Sequence, residues 1–214
     1  MPVARMSPKG GVPRVAPVAW LAALAYVVYF AGMVVMHFLT TGRSALYHTV
    51  SDYSVGKYGA LARAMTSVNV LATVLLLISF LTMVASPPLA RTGLYALAVV
   101  AACRFGMIFI LTDESGTRLT AQGRAHAALA VLSFVAAISA VTTLTRNLHA
   151  LAVWQQVLPV LGILSSAAFP LVLLLALSLV PVLRLRGVFG LLERLFLADV
   201  NLWFLIAAGV LAIR

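Results

Sequence analysis

GALARAMTSVNVLATVLLLISFLTMVA, residues 59–85, carries one charge, Arg63, and then none for the 22 residues from Ala64 to Ala85. The hydrocarbon core of a bilayer takes about 20 apolar residues of helix to cross, so this stretch is long enough and apolar enough to span one. A barrel strand would alternate in character over about 10 residues, and inside lipid every backbone group must be bonded within its own segment or a closed sheet. A helix is the reading that remains. Working outward, five further runs have the same character: 17–38, 91–111, 122–144, 151–180 and 188–213. The chain therefore reads as an all-α membrane protein, a single bundle of six transmembrane helices over 17–214. A basic tail, 1–16, precedes it and is expected to be disordered; it holds Arg5, Lys9, Arg14, three prolines and two glycines.

Composition agrees. Of 214 residues, 63% are hydrophobic and 9% charged, and the mean hydropathy is +1.09. A soluble domain carries about 25% charged residues, and disorder needs low hydrophobicity. The net charge of +10, from 15 basic and 5 acidic residues, is spread between apolar runs. That pattern reflects the charge asymmetry of a membrane, so no nucleic-acid partner is expected and membrane lipid is. The single cysteine, Cys103, excludes a disulfide within the chain and a cysteine-based zinc site. In the long fifth run, Pro159 and Pro170 predict kinks, with Ser165 and Ser166 placed to bond freed carbonyls.

Six helices put both ends on one side. That side holds Arg5, Lys9, Arg14, Arg91, Arg146 and Arg214 and no acid. With a basic leader before the first helix, the expectation is a multi-pass cell-membrane protein with both termini in the cytoplasm. All five acids (Asp52, Asp113, Glu114, Glu193 and Asp199) belong to the other face or enter from it, as do His37, His48 and His126; only His149 does not.

Two clusters and two deep charges carry the chemistry on that face. The first cluster is Tyr47-His48-Thr49-Val50-Ser51-Asp52-Tyr53, in the 39–58 connection. The second is Thr112-Asp113-Glu114-Ser115, followed by Gly123, Arg124 and His126. A short link joins helices three and four, so Asp113 and His126 are expected to meet. A carboxylate beside an imidazole fixes its tautomer and raises its basicity. Such a pair serves as a general base, as part of a metal site, or as a clasp between helices. Arg104 lies nine residues before Asp113 and Asp199 six beyond Glu193, about 13 Å and 9 Å into the membrane. A charge at the bilayer centre costs at least about 2.5–3.5 kcal/mol, so the two are expected to pair, or Arg104 to find another polar group at the same depth, where Asn69 and Asn201 also lie.

The run His48-Thr-Val-Ser51-Asp52 with Gly56, then Thr112-Asp113, Thr120 and Gly123-Arg-Ala-His126, and the Glu193-Arg194 pair opening a helix with Trp203, resembles the bacterial and archaeal membrane family of unknown function called DUF998. The resemblance spans about residues 20–212. It implies six membrane helices and singles out Ser51, Asp52, Asp113 and His126, without supplying an activity. A more distant chemical likeness is to the membrane hydrolases that include alkaline ceramidases, which set Ser, Asp and His around zinc at one interface.

Three functions compete. In the first, the chain is an interfacial enzyme that binds or hydrolyses a lipid or lipid-linked substrate. His126, Asp113, Ser51 and Asp52 are then the catalytic candidates, and Arg104, Arg124 and Asp199 bind substrate. A divalent metal such as zinc would be held by His48, Asp52, Asp113 and His126. In the second, it is a lipid or small-molecule binding or transport protein. In the third, it is a subunit whose polar residues only hold a complex together.

Overall fold

The computed structural model describes residues 16–39, 42–83, 91–180 and 185–213. Six helices account for nearly all of this: α1 (Ala16–Phe38), α2 (Gly59–Met83), α3 (Arg91–Phe109), α4 (Ala121–Leu148), α5 (Leu158–Leu177) and α6 (Phe189–Ala212). Each is long and apolar enough to cross a membrane, and no strand occurs among the described residues. The expected tail lies outside the described residues, apart from Ala16, which opens α1.

Consecutive helices pack as neighbours, and α6 closes the ring against α1. It also touches α2 and α4, which makes it the most buried helix. Its inner face carries Phe196, Val200, Trp203, Phe204, Ala207 and Ala208, all buried. Trp203 donates from Nε1 to Thr145 Oγ1 of α4 at 2.9 Å, so its polar edge is satisfied inside the bundle, as a buried indole requires. The outward faces are apolar as well: Val34, Val131 and Ile163 are more than half exposed. On a soluble protein such a surface would aggregate; here it is the lipid-facing wall.

The fifth run departs from expectation. It is broken by a 3-10 turn at Ala152–Trp154, and α5 begins only at Leu158. Pro159 occupies the first turn of that helix, where its missing N–H costs no hydrogen bond. It starts the helix instead of kinking it. Pro170 alone lies inside α5, and Ser165 bonds back to Gly162 O at 3.1 Å.

Candidate functional site

The connection between α1 and α2 is the longest on its face, and it is held down residue by residue. Asp52 organises it from within. Its Oδ2 accepts from Thr49 N at 2.7 Å, and its own N–H donates to Thr49 Oγ1 at 3.0 Å. The same carboxylate reaches the link between α3 and α4, accepting from Ser115 N at 2.9 Å and Ser115 Oγ at 2.6 Å. Three bonds on a fully buried carboxylate, and a fourth from its backbone N–H, make Asp52 a structural knot.

The start of α6 fastens the other side. Glu193 Oε2 accepts from Val50 N at 2.5 Å. Arg194 donates from Nη1 to the carbonyls of Ala45 (2.8 Å) and His48 (2.6 Å), and from Nη2 to Tyr53 Oη (2.9 Å). Gly190 permits this approach, because a Cβ there would lie 2.1 Å from His48 O. At the outer edge Arg43 forms an ion pair with Glu114 at 2.8 Å and also bonds Val55 O.

Held this way, Ser51 meets His126. The imidazole Nε2 lies 3.1 Å from Ser51 Oγ, and Nδ1 lies 2.6 Å from the carbonyl oxygen of Ile110. A carbonyl only accepts, so a neutral His126 carries its proton on Nδ1 and offers Nε2 as the acceptor for the Ser51 hydroxyl. The carbonyl is available because α3 ends at Phe109, and the last carbonyls of a helix have no partner within it. The expected pairing of His126 with Asp113 is therefore replaced. Asp113 accepts from Thr120 N at 2.6 Å and Thr120 Oγ1 at 2.9 Å, while Thr120 Oγ1 caps α4 by accepting from Gly123 N at 3.1 Å. No hydrogen bond joins Asp113 to His126 among the described residues. Asp113 positions the start of the helix that carries His126, with Gly123 leaving the room: a Cβ there would lie 1.9 Å from Asp113 Oδ2.

Below the Ser51–His126 pair lies a cavity of ≈ 90 Å³, room for several waters. Both residues line it, as do Arg63, Glu193 and, at its membrane end, Asn69 and Arg104. Four of the chain's seven methionines (Met33, Met36, Met65 and Met107) form much of the apolar wall. Nothing in the sequence singled them out, since methionine in an apolar helix is unremarked until the helices are assembled.

The expected ion pair between Arg104 and Asp199 is absent among the described residues. Arg104 Nη1 donates to Asn201 Oδ1 at 3.0 Å and to Asn69 Oδ1, with Asn69 Nδ2 bonded to Asn201 Oδ1 at 2.9 Å. Its guanidinium carbon stands 5.9 Å from the centre of the Phe204 ring. Polar groups at the same depth thus partner its Nη1, and all of them are neutral. Asp199 does not line this cavity, and its buried Oδ2 has no hydrogen-bond partner. Arg124 is exposed and donates to Leu119 O at 3.2 Å, so it too lies away from the cavity.

Nor do the expected metal ligands converge. Among the described residues no three His, Cys, Asp or Glu side chains gather as a metal ion requires. His48 Nδ1 accepts from Ser44 N at 3.0 Å, Asp52 and Asp113 are engaged as above, and His126 has both nitrogens occupied.

Six helices, each long and apolar enough to cross a membrane, define a multi-pass membrane protein. The family model described as "Protein of unknown function (DUF998)" matches residues 23–210, and the chain belongs to that family. No curated protein and no solved structure matches it.

Proposed function

We propose that this protein is an interfacial hydrolase of a lipid or lipid-linked ester, with Ser51 as nucleophile and His126 as general base. The observation that carries this reading is the Ser51–His126 hydrogen bond of 3.1 Å, with the imidazole tautomer fixed by Ile110 O. A serine hydroxyl is a weak nucleophile until an adjacent base takes its proton, and the base is held in turn by a third group. Here a backbone carbonyl fills the orienting role that a carboxylate fills in the familiar triad.

In the reaction, Ser51 Oγ attacks the ester carbonyl carbon as its proton passes to His126 Nε2. The tetrahedral intermediate collapses, the bond to the alcohol breaks, and the imidazolium returns the proton to the departing oxygen. Water, deprotonated by the same nitrogen, then releases the acid from Ser51. Arg104, a buried cation among neutral partners, favours a substrate that carries negative charge. The acid-free terminal side further supports an orientation with the termini in the cytoplasm and the site on the outer face.

The test is labelling with a fluorophosphonate, which reacts only with activated serines, on protein purified in nonionic detergent. Wild type should be labelled at Ser51 and should release fatty acid from an ester lipid. Ser51→Ala and His126→Ala should lose both, and His126→Ala should melt within a few degrees of wild type. Unlabelled wild-type protein that also releases no acid would sink the reading.

A further inference from the structure

We infer that the ligand of this cavity is a lipid carrying one compact oxyanion, phosphate or carboxylate, which reaches Arg104 while its hydrocarbon chain lies between α1 and α6. The inference deepens the hydrolase reading and rests on it for the chemistry at Ser51, but the binding it describes is separately measurable.

Arg104 supplies the first argument. It is 5% exposed, lies deep in the bundle, and is partnered by two amides and an aromatic ring. Both of its hydrogen bonds leave through Nη1; Nε and Nη2 make none among the described residues. Those two groups form the edge of a guanidinium that grips an oxyanion with two parallel bonds. Arg104 lines the cavity of ≈ 90 Å³, which has room for a phosphate or carboxylate.

Depth supplies the second. Arg104 is six residues from Ile110, whose carbonyl holds His126, so the anion site lies about 9 Å further into the membrane than the serine. An anion anchored there holds a bond a few atoms away beside Ser51.

The third argument is a way in. A second cavity, ≈ 270 Å³, lies beside the first and shares Tyr29, Met33, Val50, Tyr53 and Leu197 with it as a common wall. Its outer rim is Val34 of α1 and Ala198 of α6, both exposed on the apolar outer surface. The cleft lies between α1 and α6, with His37 and Arg194 also lining it. A hydrocarbon chain can lie against its apolar residues, Phe30, Met33, Val34 and Leu197, and flexible Met33 on the shared wall adapts to what passes it. The apolar opening between the two helices suits a hydrocarbon chain, which is why the anion is assigned to a lipid.

Binding to the Ser51→Ala protein, which removes turnover, tests this by calorimetry in nonionic detergent. The probes are dodecyl phosphate, dodecyltrimethylammonium and inorganic phosphate. Dodecyl phosphate should bind, the cationic amphiphile should not, and inorganic phosphate should bind at least about 100-fold more weakly, the worth of three or four buried methylenes. Adding Arg104→Gln should weaken dodecyl phosphate by about 10- to 100-fold, the range for hydrogen bonds to a charged group. Should that variant not fold, Ala198→Trp stands on the lipid side and blocks the cleft. It should weaken dodecyl phosphate and leave inorganic phosphate unchanged. Equal affinity for the two phosphates, or dodecyl phosphate binding unaffected by Ala198→Trp, overturns the inference. Binding that depends on Arg104 in a protein whose Ser51 resists the fluorophosphonate would instead overturn the hydrolase reading alone. Labelling of Ser51 without Arg104-dependent binding would overturn only the lipid anion.

Discussion

Arg104 and Asp199 are both charged residues within apolar helices, yet they have opposite surroundings. Arg104 is enclosed by Asn69, Asn201 and Phe204, whereas Asp199 is half-buried with one oxygen unpartnered. Substitution should separate them. Asn201→Ala removes one acceptor from a buried cation and the partner of Asn69 Nδ2, and should cost about 1.5–3 kcal/mol, as hydrogen bonds to charged groups do. Asp199→Asn breaks no bond and removes a carboxylate from the membrane, so it should leave stability unchanged or raise it. Denaturant titrations of the two purified variants check the contrast, and equal destabilisation would contradict it. The sequence located Arg104, Asn69 and Asn201 at one depth because helix rise converts residue number into height. It gave no azimuth, and azimuth decided that Asn201, not its neighbour two residues earlier, faces the arginine.

Among the elements, the connection between α1 and α2 depends most on its surroundings. Its position relies on Gly190, where His48 O comes close enough to forbid a side chain. Gly190→Ala should push the connection off α6, costing about 1–3 kcal/mol for the forced overpacking. It should also lower fluorophosphonate labelling of Ser51 while the rest of the bundle persists. A melting curve alongside the labelling yield measures both effects. The element boundaries themselves were largely legible, since apolar runs end where polar residues begin. The fifth helix was the exception. Pro159 reads as a kink in an unbroken run, but a chain that turns at Ala152–Trp154 makes it a starting residue. The partner of His126 was illegible for a different reason. It is a backbone carbonyl, freed where α3 stops, and no side-chain spacing reports it.

For the molecule as a whole, the distribution of acids gives the orientation a direct test. In cells expressing a Cys103→Ala background, a cysteine at Thr117, in the exposed link between α3 and α4, should react with a membrane-impermeant maleimide added outside. A cysteine at His149, at the opposite end of α4, should react only after permeabilisation. The reverse pattern would invert the protein in the membrane and turn the Ser51 face to the cytoplasm. Class and helix number were legible because lipid imposes them through length and apolarity alone. The cavity was not, because it arises where five helices and a connection converge, and convergence has no linear signature.

The fastening of Val50 by Glu193 has a consequence for the order of biogenesis. The two residues are 143 positions apart, so at 5–20 residues per second the ribosome delivers the second about 7–30 s after the first. Until α6 enters the membrane, the connection bearing Ser51 lacks Glu193, Arg194 and the Gly190 surface. The Ser51–His126 contact is therefore assembled last. A chain truncated before residue 185 should insert and yet resist fluorophosphonate, and supplying α6 as a separate peptide should restore labelling. The final helix thus sets when the contact between Ser51 and His126 can form.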